Sequence, residues 1–146
     1  MTPAELLKKI HLFKDASPDE LVALTAIAEK KSYLVEENVY RTGETPDALF
    51  IIEMGTVDVI LKDKDLPTMS LGSGQCLGEM AFFERSPRIA SAVTREPTSI
   101  LRIPFDKLDK VLLDNPNLAR TFYQNACSVM AKVLRGIAPD MSRRYF

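Results

Sequence analysis

From Ser32 onward the apolar residues recur with a period of two, and turn residues punctuate the chain about every eight to twelve positions. A chain patterned in this way must bury one face of many short strands. It therefore folds as a small β-sandwich or barrel. The pattern predicts strands at Tyr33–Val35, Asn38–Arg41, Ala48–Glu53, Thr56–Leu61, Thr68–Leu71, Gln75–Leu77, Ser91–Thr94 and Ser99–Ile103. Helical spacing flanks this region on both sides. Leu6, Leu7, Ile10 and Phe13 share one stripe, and Ser17-Pro18-Asp19-Glu20 reads as a capping box opening a helix over 18–30, with Leu21, Leu24, Ile27 and Ala28 inward. Pro104-Phe105-Asp106 opens a further helix, and a longer one spans Asn117–Arg135. In that last helix Phe122, Ala126, Val129 and Val133 form a seam suited to docking or to a coiled coil.

Composition narrows the function. The chain has 146 residues, enough for one domain with one real core. Formal net charge is −1, so no global field draws it to nucleic acid or to an acidic membrane. No apolar run reaches the length of a membrane span, and the N-terminal ten residues pattern as an amphipathic helix and not as a signal peptide. Cys76 and Cys127 lack metal-ligand spacing and read as reduced thiols of a cytoplasmic protein. His11 is the single histidine, which removes the usual triads and multi-histidine metal sites.

Chemistry concentrates in Gly78-Glu79-Met80-Ala81-Phe82-Phe83-Glu84-Arg85-Ser86-Pro87-Arg88-Ile89-Ala90. A short helix opening presents backbone amides that attract an anion. Arg88, returning from the far end of the loop, can fork onto the same anion. Glu79 would repel a phosphate, so it is aimed elsewhere, at a pair of sugar hydroxyls. One phosphate and one ribose held within so short a stretch describe a nucleotide with a compact phosphate. Arg85 reads as solvent-facing.

This stretch resembles the phosphate-binding cassette of the cyclic nucleotide-binding domain family, which includes bacterial catabolite activators, protein kinase A regulatory subunits and nucleotide-gated channels. Gly78, Glu79, Met80, Ala81, Arg88 and Ala90 match its motif. Phe82 stands in place of an aliphatic, and Ile89 in place of Ala, Ser or Thr. A second resemblance lies in Gly43, Leu49-Phe50-Ile51-Ile52 and Gly55, where Tyr40 and Pro46 depart from the usual residue types. The bland reading of Gly43 and Gly55, as strand ends needing positive φ, is favoured.

The resemblance implies one domain over 1–146: helices at 4–31, an eight-stranded β-roll or jelly roll with the cassette at 32–103, hinge and lid helices at 104–135, and a tail at 136–146. It implies that Arg88 and the backbone near Ala81 and Ile89 hold a 3′,5′-cyclic phosphate, and that Glu79 holds the ribose 2′-hydroxyl. Val57, Val59, Met69 and Leu71 are candidates for the apolar wall around sugar and base, or equally for plain barrel core. Val129, Lys132 and Val133 are candidates for a mobile lid over the base, against the alternative of a fixed core or dimer helix. The expected ligand is cyclic AMP, with cyclic GMP second, and no cofactor or metal. Expected partners are a protein effector in cis or in trans and a second copy through the last helix. The chain carries no recognition helix for direct DNA binding. No second carboxylate or activated nucleophile accompanies Glu79, so binding is expected and not catalysis. The competing expectation is a degenerate domain that keeps the fold as an interaction module.

Overall fold

A computed structural model describes residues 1–63 and 66–137. Eight strands form two four-stranded antiparallel sheets, flanked by helices, giving a mainly β architecture. In chain order these are α1 (Pro3–Lys9), a 3₁₀ turn at His11–Phe13, α2 (Pro18–Ile27), β1 (Glu29–Tyr33), β2 (Asn38–Tyr40), β3 (Ala48–Met54), β4 (Val57–Leu61), β5 (Met69–Leu71), β6 (Cys76–Leu77), α3 (Glu79–Glu84), β7 (Ala90–Thr94), β8 (Thr98–Pro104), α4 (Phe105–Asp114) and α5 (Pro116–Ile137). One sheet has the order β1-β8-β3-β6 and the other β2-β7-β4-β5.

The helix starts follow from local chemistry. Thr2 and Ser17 each accept from the amide three residues on, while Glu5 and Glu20 reach back to the cap amide, completing two capping boxes. The start of α2 agrees with the sequence reading, but its end does not. The helix stops at Ile27, Ala28 turns extended, and Glu29–Tyr33 pairs antiparallel with β8. The first strand is therefore earlier than Tyr33–Val35. Leu34 and Val35 lie in the following turn, 69% and 52% exposed. A charged segment makes a strand here because it sits on a sheet edge, where lysines on the solvent side are tolerated and discourage further pairing.

Strand β3 explains the apolar run of the sequence. Ala48, Phe50 and Ile52 pack into the interior between the sheets with Tyr40, Val57, Leu77, Ala92 and Ile100. Leu49 and Ile51 point the other way, into a larger cluster with Leu101 and Ile103 of β8 and the apolar faces of the helices. A strand buried on both faces cannot alternate polar with apolar. Gly55, at φ +113°, ends this strand beside Thr98, where a Cβ would collide with the Thr98 side chain. The structural reading of that glycine fits this geometry.

Helix α5 is continuous but has two characters. Leu118, Phe122 and Ala126 are buried in the larger cluster, with Phe122 fully enclosed. Beyond them Val129, Val133 and Leu134 are 38%, 50% and 39% exposed. Helix α5 continues through residues 136 and 137, which were expected to begin the tail, and the rest of that expected tail lies outside the described residues.

Phe122 should carry much of the attachment of α5. Phe122→Ala is expected to cost about 3–5 kcal/mol in denaturant unfolding. Leu113→Ala, at a site 81% exposed on α4, should stay within about 0.5 kcal/mol of wild type.

Candidate functional site

A cavity of about 790 Å³ opens between the cassette, the β4–β5 side of the second sheet, the N-terminal 3₁₀ turn and α5. Gly78, Glu79, Met80, Ala81, Arg88, Ile89 and Ala90 all line it, so the structure brings together the seven cassette residues expected at the phosphate and ribose, while Phe82 and Arg85 of the same stretch are not among its lining. Of the expected wall, Val59, Met69 and Leu71 line the cavity. Val57 does not. It is fully buried in the interior cluster between the sheets and belongs to the core. Of the expected lid residues Val129 lines the cavity, together with Ala126 and Met130. Lys132 and Val133 are not among its lining and sit on the exposed part of α5.

Helix α3 begins at Gly78, whose φ of +80° is left-handed. Two constraints demand glycine there. The backbone conformation disfavours a side chain, and a Cβ would stand 2.6 Å from Nη1 of Arg88. The guanidinium of Arg88 is thus packed directly against the first residue of the cassette. Nη1 donates to the Gly78 carbonyl at 3.3 Å and Nη2 to the Ala48 carbonyl at 2.7 Å. The Arg88 backbone is fixed as well: its amide donates to Glu44 and its carbonyl accepts from Gly43. The residue is 6% exposed, and burial lowers its pKa from the ordinary value.

Glu79 sits at the first turn of α3. Burial raises its carboxyl pKa, and this outweighs the opposing effects of its own backbone amide, the Cys76 thiol and Arg88. The Cys76 thiol lies close enough to the carboxylate for the two to act on each other electrostatically, and burial pushes that thiol well up. The burial that raises its pKa leaves the carboxylate's charge poorly compensated. Ile89 points out of the barrel, 73% exposed at the cavity edge, so its side chain does not fill the interior.

Arg85 is solvent-facing, as its sequence position suggests, but it is not free of partners. It closes α3 at φ +60°, its Nε donates to the Phe82 carbonyl at 2.6 Å, and its Nη2 bonds both oxygens of Asp109 on α4 at 2.8 and 3.0 Å. Its guanidinium lies over the rings of Phe82 and Phe105 at 4.6 and 5.0 Å. Sequence reading missed Tyr40, Leu61, Thr68 and Cys76 as cavity residues. Leu61 shares the period-two face of Val59 and was legible; Tyr40 announced itself only as an unusual residue type.

Residues 30–115 match the cyclic nucleotide-binding domain. The chain is 31% identical over 126 residues to the cAMP-dependent protein kinase regulatory subunit of Candida albicans, covering 85% of this chain and 27% of that one. It is 28% identical over 135 residues to Glutaminase 2 of Bradyrhizobium diazoefficiens, covering 89% of this chain and 21% of that one. The fold superposes on the Thermus thermophilus Catabolite Activator Protein with a TM-score of 0.75 at 23% identity, covering 90% of this chain and 61% of that one. This chain is a member of the cyclic nucleotide-binding domain family. It spans about a quarter of the length of the curated relatives it matches. No helix among the described residues is long and apolar enough to cross a membrane.

The raised pKa of Glu79 has a consequence for stability. Ionisation is harder in the fold than in the unfolded chain, so this group favours folding fully below its unfolded pKa of about 4.3. That contribution is lost as pH rises through the higher folded value. Glu79→Gln removes the titration. Its stability relative to wild type should rise across that window and level off above it. Thermal unfolding of both proteins between about pH 4 and pH 8 measures this. A variant whose advantage shrank with rising pH would show that the ionised carboxylate is well satisfied.

Proposed function

We propose that this chain is a sensor domain that binds a 3′,5′-cyclic nucleotide, cyclic AMP in preference, and signals through its C-terminal helices to a protein effector. The observation that carries the reading is the buried Arg88, fixed at the wall of a cavity that Glu79 and the first turn of α3 also line. Such a cation favours an anion, and the amides of a helix opening add donors for it. Glu79, on the same turn, accepts well from hydroxyl donors. A cyclic phosphate on Arg88 with the ribose 2′-hydroxyl on Glu79 satisfies both charges. The name of the Candida albicans relative, a cAMP-dependent kinase regulatory subunit, supports the same ligand.

The base would lie along Val59, Leu61, Met69 and Leu71, with Val129 of α5 at the opposite wall. An apolar wall favours adenine, because burying guanine's extra amino group unpaired is costly. Ile89 offers no hydroxyl for it. Movement of the exposed end of α5 is the proposed output.

Calorimetric titration with cyclic AMP and cyclic GMP tests the reading. Arg88→Ala should weaken binding by about two orders of magnitude, since removing one partner of a buried charge pair costs about 2–5 kcal/mol. Arg85→Ala, whose contacts run to α4, should change affinity far less than Arg88→Ala. A folded Arg88→Ala protein with wild-type affinity would sink the assignment.

Ile89 allows a sharper discrimination. If its bulk crowds the cavity edge, Ile89→Ala tightens both nucleotides alike. If the missing hydroxyl matters, Ile89→Thr raises cyclic GMP affinity more than cyclic AMP affinity. A wild-type preference of about tenfold for cyclic GMP, or 1.4 kcal/mol, contradicts the proposed selectivity.

A further inference from the structure

We infer that Tyr40 is a positioning residue for anion recognition: its ring holds the guanidinium of Arg88 so that the remaining N–H groups stay available to the cavity. The inference rests on the proposed function for the identity of the anion, but its geometry is independent of it. The Tyr40 ring lies 4.2 Å from Cζ of Arg88 and is itself stacked on Phe50 at 5.8 Å and 30°. Phe50 gives the cation a second, more distant ring at 5.7 Å. Tyr40 is 8% exposed and lines the same cavity as Arg88.

The position of the ring is built into the strand. The pairing of β2 with β7 shifts register between Asn38 and Tyr40, the kind of irregularity that re-aims a side chain. Tyr40 thereby reaches the interior cluster, where Phe50 and Leu77 also pack.

The physical need is clear from the other partners of Arg88. A guanidinium carries five N–H donors in a rigid plane. Here Nη1 and Nη2 each give one to a backbone carbonyl, Gly78 and Ala48. Both acceptors are neutral, and among the described residues Arg88 makes no ion pair. Two carbonyls fix its edge but not its face. The negative face of an aromatic ring restrains the face, and a buried cation–π contact is stronger than an exposed one. An aliphatic residue at position 40 would fill the space without supplying that field. Burial drives the Tyr40 hydroxyl pKa up to about 12, so the ring meets the arginine as a neutral phenol.

The test uses Tyr40→Phe, Tyr40→Leu and Tyr40→Met in the full chain, with cyclic AMP as the calorimetric probe. Tyr40→Phe keeps the ring and should bind within about threefold of wild type. Leu and Met remove it and should weaken binding about tenfold or more at similar fold stability. If one aliphatic variant fails to fold, the other serves. In the free protein, the Nε–H proton resonance of Arg88 should be displaced by the ring current in wild type and Tyr40→Phe, and should return toward the ordinary arginine position in the aliphatic variants. Aliphatic variants that fold and bind like wild type overturn the inference. So does a Phe variant as weak as the aliphatic ones, because the hydroxyl would then be the active group. If wild type binds no cyclic nucleotide, the proposed function fails. The Arg88 resonance alone then decides: a ring-dependent displacement supports the inference, and an unchanged resonance across the variants overturns it.

Discussion

A buried cation that makes no ion pair among the described residues is the constraint from which the site follows. Arg88 is 6% exposed, and burying an unpaired charge is among the most expensive things a small core can do. The chain meets the cost with neutral groups: two backbone carbonyls at the edge of the guanidinium and an aromatic ring on its face. Each of these imposes its own requirement. The Gly78 carbonyl can reach only because residue 78 has no Cβ, and the Ala48 carbonyl belongs to the first residue of the central strand β3. A site assembled in this way has the Arg88 guanidinium already fixed by the protein. Under the proposed function an anion would supply the close ion-pair partner that Arg88 lacks among the described residues.

The cassette is tied to the helices by aromatic packing. Phe82 meets Phe105 at 5.2 Å and Phe122 at 5.6 Å, both edge-on, and Phe83 contacts Phe122 and Tyr123. Phe13 of the N-terminal turn stacks on Phe122 at 5.5 Å. One ring, Phe122, therefore touches the cassette and the N-terminal segment at once. The Arg85–Asp109 pair adds a polar strut between α3 and α4. Phe82, which stands where the family carries an aliphatic, fits here because a larger ring reaches both α4 and α5. Edge-to-face contacts depend on geometry, so a shift of α3 is felt along this chain of rings and not only at the ligand.

The parts of this arrangement differed in how legible they were. The cassette could be read because Gly78, Glu79 and Arg88 stand at a fixed spacing along one short segment. Strand β3 could be read because burial on both faces leaves no polar residue in Leu49-Phe50-Ile51-Ile52. The first strand could not, since Glu29–Tyr33 owes its conformation to its partner β8 and carries no apolar alternation of its own. Val57 was ambiguous for a related reason. Period two puts it on the same face as Val59, yet in the fold Val57 joins the interior cluster while Val59 lines the cavity. Arg85 and Tyr40 were opaque because their partners, Asp109 and Arg88, are distant in sequence, and local composition says nothing about such pairs.

Helix α5 shows where a ligand could act. Its first half is locked: Leu118 and Phe122 are fully buried and Ala126 nearly so. Its second half presents apolar side chains to solvent on one side and Val129 and Met130 to the cavity on the other. A ligand shifts a conformational equilibrium only by the difference between its affinities for the two states. Contacts with Arg88 and Glu79 cannot supply much of that difference if both groups are already fixed. Contacts with Val129 could, because it is 38% exposed beyond the buried half of the helix, whereas Met130 still packs against the larger cluster. Under the proposed function, anchoring and switching would therefore fall to different walls of one cavity: the wall at Arg88 would set affinity for a phosphate, and the wall at Val129 of α5 would set what binding accomplishes.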